Sequence, residues 1–242
     1  MLSKSQVKYI QSLGHKKFRD EEGLFVAEGP KIVNELLMEI PQLVKVVYGT
    51  KEWIDESREL PAEKDFIEIK ETDLERISQL TTPNKVLAIV QKPRHDKIIT
   101  ANNLTLVLDT IQDPGNLGTI IRTADWFGIK QIVCSENSAD MYSSKVVQAT
   151  MGSIVRVNVL YTSLPVWLNQ QNVRIFASAL AGKDIRKMSQ LTEGIIIIGN
   201  ESKGIHPEVM ELAHEKITIP KPGRAESLNA AVATAIILSH IV

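Results

Sequence analysis

The side chains of this sequence whose types and placing could do chemistry are Asn116, Arg122, Glu201, Ser227 and Asn229. Arg122 offers a planar, permanently charged fork suited to phosphate or a developing oxyanion. It lies just after Gln112-Asp113-Pro114-Gly115-Asn116, a stretch of strong turn chemistry that follows an apolar run. A plainer role, pairing with Asp125 on the same helix, is also open to it by spacing. Glu201 stands in Gly199-Asn200-Glu201-Ser202-Lys203-Gly204, at the end of the apolar run Ile195–Ile198. There it could be a hydrogen-bonding carboxylate or a solvated loop residue. Ser227 or Asn229 sits where a helix N-cap belongs, before an Ala- and Ile-rich run. Burying Arg224, Glu226, Ser227 and Asn229 beside such a helix costs free energy unless each finds a partner.

Several other chemistries fail on spacing. The residue after Gly204 is Ile205 rather than Lys, so the phosphate-loop motif is broken, and no GxGxxG follows a predicted strand. His95, His206, His214 and His240 have no ligand spacing to one another or to Cys134, so no metal is expected. Ser202 and Ser227 lack a sequence-local base. A single cysteine excludes an internal disulfide.

The elements that must position the five residues follow from periodicity. At 242 residues, with 43% hydrophobic and 24% charged, the chain suits a soluble protein of one large or two smaller domains. It divides near residue 95, at the polar stretch Lys92–Lys97. The first part alternates short strands (Phe25–Gly29, Val44–Tyr48, Phe66–Ile69, Val86–Gln91) with helices. One helix starts at Pro30 and carries Ile32, Val33, Leu36 and Leu37, and others cover Glu52–Leu60 and Asp73–Gln79. This is a small α/β sandwich. The second part reads as a parallel sheet covered on both faces. Its strands are Leu104–Leu108, Ile132–Cys134, Val155–Val159, Arg174–Ala179, Ile195–Ile198 and Ile217–Ile219. A loop is expected over Asp109–Gly118, a helix over Thr119–Phe127, and a final helix buried on all sides. In such sheets ligands bind in the crevice at the strand ends. Net charge is −1, so no global basic field advertises nucleic acid. Residues 1–19 nevertheless hold five basic side chains and no acidic one, and Lys16, Lys17 and Arg19 are the candidates there for phosphate contact. Residues 1–20 have no apolar leader core and no run is long enough to span a membrane, so the chain is expected in the cytoplasm.

Three segments, DPGNLGTIIRTADWFG, IIIIGNESKGI and ITIPKPGRAESLNAAVATAI, resemble in this order the three motifs of the SpoU/TrmH family of RNA ribose 2′-O-methyltransferases. The resemblance runs from Leu104 to the C-terminus. Residues 1–92 are similar to that family's L30e-like substrate-binding domain, through FVAEGPKIVNELL and LTTPNKVLAIV, with 93–103 linking the two. Where many relatives carry a His-Gln-Gly turn, Thr82-Pro83-Asn84 stands here. The resemblance implies an α/β knot (SPOUT) domain over 104–242, a parallel sheet with a deep trefoil knot, working as a homodimer with the site at the subunit interface. It implies S-adenosyl-L-methionine as methyl donor, held near Leu180, Gly199, Ile219 and Leu228, with no metal. RNA would be the acceptor, ribosomal RNA ahead of transfer RNA. Arg122 would stabilise the reacting ribose oxygen, a guanidinium being too weak an acid to serve as a base. Asn116 would orient Arg122 or the ribose, Glu201 would hold a motif partner, and Ser227 and Asn229 would fix the loop and the nucleotide. A catalytically silent RNA-binding or ribosome-assembly protein is the alternative from another class.

Overall fold

The computed structural model describes residues 2–57, 66–94 and 97–242. By contacts the chain divides into two compact units, Met1–Arg94 with Asp140–Val155, and His95–Ala139 with Arg156–Val242.

The first unit opens with helices α1 (Lys4–Ser12) and α2 (Lys16–Glu22). Ser3 caps α1 in a reciprocal box with Gln6, and Gly23 ends α2 in the left-handed conformation. Strand β1 (Leu24–Glu28) leads into α3 (Pro30–Glu39), which has proline at its first turn and buries Ile32, Val33, Leu36 and Leu37 as their spacing predicts. Then come β2 (Val44–Gly49), α4 (Lys51–Glu56), β3 (Phe66–Glu68), α5 (Glu71–Ile77) and β4 (Val86–Gln91). The sheet order is β1-β4-β2-β3, with β4 antiparallel to both neighbours and β3 parallel to β2. The helix expected over Glu52–Leu60 ends at Glu56, and residues 58–60, like His95, lie outside the described residues.

Helix α7 (Ser144–Thr150) belongs by packing to this unit. It lies against β1, where Gln148 donates to the Glu28 carbonyl at 2.9 Å. The Tyr142 ring stands 5.0 Å from that of Phe25. Arg19 corrects an expectation. It is 3% exposed, and its guanidinium donates to the carbonyls of Leu13 and Gly14 and to the Asp140 carboxylate at 2.6 Å. A cation so enclosed cannot meet a phosphate. Lys16 and Lys17 do stay exposed, paired along α2 with Asp20 and Glu21.

The second unit carries β5 (Leu104–Asp109), α6 (Pro114–Trp126), β6 (Gln131–Ser135), β7 (Asn158–Thr162), α8 (Leu164–Leu168) and β8 (Ile175–Asp184). It closes with β9 (Gly194–Gly199), α9 (Pro207–Met210), β10 (Glu215–Thr218) and α10 (Ala230–Ile241). Six parallel strands stand in the order β10-β8-β9-β5-β6-β7. Every residue of β5 is buried, as a strand covered on both faces requires. The order reverses between β5 and β9, the kind of switch point beside which open sheets of this class bind ligands. Between β8 and β10 the register jumps. Lys216 pairs with Ala177 but Ile217 with Lys183, so residues 178–182 are looped out against one step of the partner strand.

Three local expectations shift. Helix α6 starts at Pro114, not Thr119, because Asp113 caps it by accepting from the Asn116 N–H at 2.8 Å and Pro114 takes the first helical position. The strand expected over Val155–Val159 lies at Asn158–Thr162, after a 3-10 turn at Ser153–Val155. Helix α10 is not buried on all sides. Ala231, Thr234, Leu238 and Ile241 face inward, while Val232 and Ser239 are exposed.

Replacing Arg19 by Ala leaves the Asp140 carboxylate without its cation in a site where the pair is nearly enclosed. Unfolding in urea is expected to show a loss of about 3–5 kcal/mol. A loss under about 1 kcal/mol would mean that the pair is solvated.

Candidate functional site

The three motif segments meet at the carboxyl ends of β5, β9 and β10. Asn229 caps α10, its side-chain oxygen accepting from the N–H groups of Ala231 (3.0 Å) and Val232 (3.2 Å). The Asn229 amide nitrogen donates to the Asn116 side-chain oxygen at 2.8 Å. The Asn116 amide nitrogen in turn donates to the Glu201 carboxylate. A single polarity thus runs from the α10 N-terminus through two amides to a carboxylate, which ends the chain because an ionised carboxylate only accepts. Asn116 keeps one further N–H and one lone pair for a ligand.

A cleft of about 520 Å³ opens beside this chain. Its walls are the looped-out residues of β8, the loop after β9 and the loop that joins β10 to α10. Leu180, Gly199, Ile219 and Leu228 all line it, together with Glu201 and Ser227. Leu180 is 79% exposed, an apolar side chain held out at the mouth. The polar loop is not buried as the sequence suggested. Residues 221–229 are exposed along their whole length, so Arg224, Glu226 and Ser227 carry no desolvation cost. A cavity of this size, apolar-walled with a few convergent polar groups, suits a nucleoside-sized ligand.

Two glycines are required by close backbone approach. A Cβ on Gly199 would come within 2.6 Å of the Gly204 oxygen and the Ile205 nitrogen. One on Gly182 would lie 2.5 Å from the Lys216 carbonyl oxygen. Gly199 lines the cleft where the loop after β9 closes on itself, and Gly182 lies in the looped-out stretch of β8 against β10.

Arg122 stands apart from this cluster. It is exposed on α6, lines no part of the cleft, and takes no part in the Asn116 bonds. The alternative pairing with Asp125 is also absent, because Asp125 is bound by Arg156 at 2.8–2.9 Å.

Sequence reasoning missed the groups that hold the loop after β9. Asp109, 2% exposed at the end of β5, accepts from the His206 N–H (2.7 Å) and faces His206 Nδ1 (2.9 Å). Next to it Thr110 adopts φ 59°, an unfavourable angle for a β-branched residue. Its N–H donates to Ser135 Oγ and its carbonyl accepts from Asn200, which keeps it there. The Asn200 side-chain oxygen also takes the N–H groups of Ser202 and Lys203, an Asx turn whose signal was present in the sequence. Nothing local could have paired Asp109 with a residue 97 positions away. Among the described residues no group of three or more His, Cys, Asp or Glu could hold a metal ion, and no helix is long and apolar enough to cross a membrane.

The SpoU rRNA Methylase family matches residues 103–239, and the MRM3-like substrate binding domain matches residues 4–88. The 23S rRNA (guanosine(2553)-2′-O)-methyltransferase RlmP of Bacillus subtilis is 31% identical over 98% of this chain and 95% of its own length. A TrmH-family protein from Porphyromonas gingivalis superposes with a TM-score of 0.87 and 37% identity, covering 99% of this chain and 98% of its own. An AdoMet-bound rRNA methyltransferase from Sinorhizobium meliloti gives 0.83 and 30%, covering 99% and 95%.

Gly182→Ala and Gly199→Ala are each expected to lower stability by about 1–3 kcal/mol in denaturant unfolding, the cost of overpacking. Gly223→Ala, where a Cβ meets open space, should leave stability unchanged. Equal behaviour of all three would remove the case for enforced close approach.

Proposed function

The chain belongs to the SpoU rRNA methylase family, and from that premise we propose that it methylates a ribose 2′-hydroxyl of ribosomal RNA with S-adenosyl-L-methionine. The observation that carries this reading is the joining of Glu201, Asn116 and Asn229 at the rim of a nucleoside-sized cleft. Ribosomal rather than transfer RNA is favoured by coverage. The RlmP methyltransferase and the Sinorhizobium meliloti rRNA methyltransferase match 98% and 99% of the chain, whereas the tRNA-modifying TrmH/SpoU enzyme of A. aeolicus covers 57% of it.

The donor fits the cleft by its chemistry. Leu180, Ile219 and Leu228 offer apolar walls to an adenine ring, and the glycine at 199 leaves backbone groups within reach of its polar edge. The donor's sulfonium supplies a methyl group already activated for transfer. The protein's work is then positioning, together with handling the charge of the attacking oxygen. Arg122 stabilises the developing 2′-oxyanion and its neighbouring phosphate, and the proton leaves to water or phosphate. Asn116, held from both sides, presents its remaining N–H and lone pair to the ribose. Glu201 fixes Asn116, Asn229 ties both to α10, and Ser227 steadies the loop at the mouth.

Arg122 does not reach the cleft of its own chain, and this favours a homodimer in which each copy completes the other's site. The exposed side of α10, with Val232 outward among small residues, gives a second copy a surface for close approach. Residues 1–92, with Lys16 and Lys17, are assigned to substrate RNA, 93–103 to a link and 104–242 to methyl transfer. A trefoil knot formed by the loops after β9 and β10, and a cytoplasmic location, complete the reading.

The test is transfer of labelled methyl from S-adenosylmethionine to ribosomal RNA from cells lacking this protein. Wild type is expected to label one ribosomal RNA at a single alkali-resistant linkage. Arg122→Ala should lose about 10²–10³ in rate with donor binding intact. Donor binding without transfer to naked RNA or to ribosomal particles would favour a silent RNA-binding protein. Full activity in the variant would remove Arg122 from its role.

A further inference from the structure

Trp126 is 84% exposed, whereas Trp53 is 1% exposed. It is not a core residue displaced. The buried stripe of α6 is Leu117, Gly118, Ile120, Ile121 and Ala124, and Trp126 lies off it. By helical spacing it shares a face with Thr119 and Arg122, both exposed, and Arg122 is its i−4 neighbour. The acidic neighbour Asp125 is neutralised by Arg156, which leaves Arg122 to set the charge of this face.

Resting on the RNA reading above, we propose that Trp126 is a stacking platform for an unpaired base of the substrate RNA, next to the nucleotide that Arg122 engages. RNA recognition commonly splays single-stranded bases onto aromatic rings, with cations meeting the backbone beside them. Four residues of helix advance about 6 Å, so the ring and the guanidinium can serve one nucleotide and its neighbour. Composition favours a base over a protein partner on this face. Protein interfaces have an apolar centre in which aromatic anchors are surrounded by other apolar groups. On its own helix the ring has Thr119, Arg122 and Thr123 as neighbours, and it is the only large hydrophobic side chain of α6 that is exposed.

The experiment titrates wild type, Trp126→Ala and Trp126→Phe with a mixed-sequence single-stranded RNA oligonucleotide, following tryptophan fluorescence and, separately, filter binding. Methyl transfer, donor affinity and light scattering are measured on the same proteins. Wild-type emission is expected to be quenched by RNA, and this quench should be absent in Trp126→Ala. RNA affinity should fall about 5- to 100-fold in Trp126→Ala and recover largely in Trp126→Phe. Donor affinity and the rate at saturating RNA should stay unchanged. Equal RNA affinity in wild type and Trp126→Ala, with methyl transfer intact, would overturn this proposal and leave the proposed function standing. A change of mass in light scattering on Trp126→Ala would overturn it in favour of a second copy covering the ring. A wild type that neither binds nor methylates RNA would end both.

Discussion

The constraint on which the rest of this structure depends is the directed chain of hydrogen bonds from the α10 N-terminus through Asn229 and Asn116 to Glu201. Each amide in it is used from both ends, so neither can turn without breaking two contacts. Amide oxygens and nitrogens are not interchangeable in such a row, and only one orientation satisfies every partner. Satisfied networks of this kind rigidify what they join. What they join here is the start of α6, the loop after β9 and the start of α10. Loops that would otherwise move independently are thereby held to a common geometry around the cleft.

Beneath that chain, the sheet order determines where the loops emerge. With β5 and β9 adjacent and the chain leaving them in opposite directions across the sheet, the loops after them diverge, and the cleft lies on the β9 side, among the ends of β8, β9 and β10. Asp109 and Gly199 are direct neighbours in register there, and each starts a loop that the other's strand helps to hold. The strained Thr110 and the Asp109–His206 contact belong to the same arrangement. The backbone accepts an unfavourable angle because several bonds converge on it, a pattern found where geometry matters more than local stability.

Much of this was legible in the sequence. The apolar runs marked the buried strands, Pro30 and the spacing of Ile32, Val33, Leu36 and Leu37 marked α3, and Asn229 was one of two residues proposed to cap α10. The start of α6 is ambiguous in sequence although its signals are present. Asp113-Pro114 reads as turn chemistry, whereas the same residues cap and open a helix, and local rules alone do not choose between the two. Other features had no local signal. Arg19 is indistinguishable in sequence from its basic neighbours, and only its burial against Asp140, 121 positions away, removes it from the surface. The packing of Asp140–Val155 with the first unit is likewise a long-range outcome. So is the register jump between β8 and β10, since strand periodicity says nothing about which residues will be looped out.

The bonds that make the site span 85 and 113 positions of sequence, and the Asp109–His206 contact spans 97. Parallel strands paired over such distances are slow to find one another, because loop closure must precede any gain from contact. During synthesis the consequence is one of timing. Asn116 leaves the ribosome long before either of its partners, and the amide row cannot form until residue 229 and the first turn of α10 have also emerged. Until then the chain has strands without a site and is open to non-native pairing. The amide row that borders the cleft is therefore withheld until residue 229 and the residues it caps have emerged, whatever order the strands adopt before that.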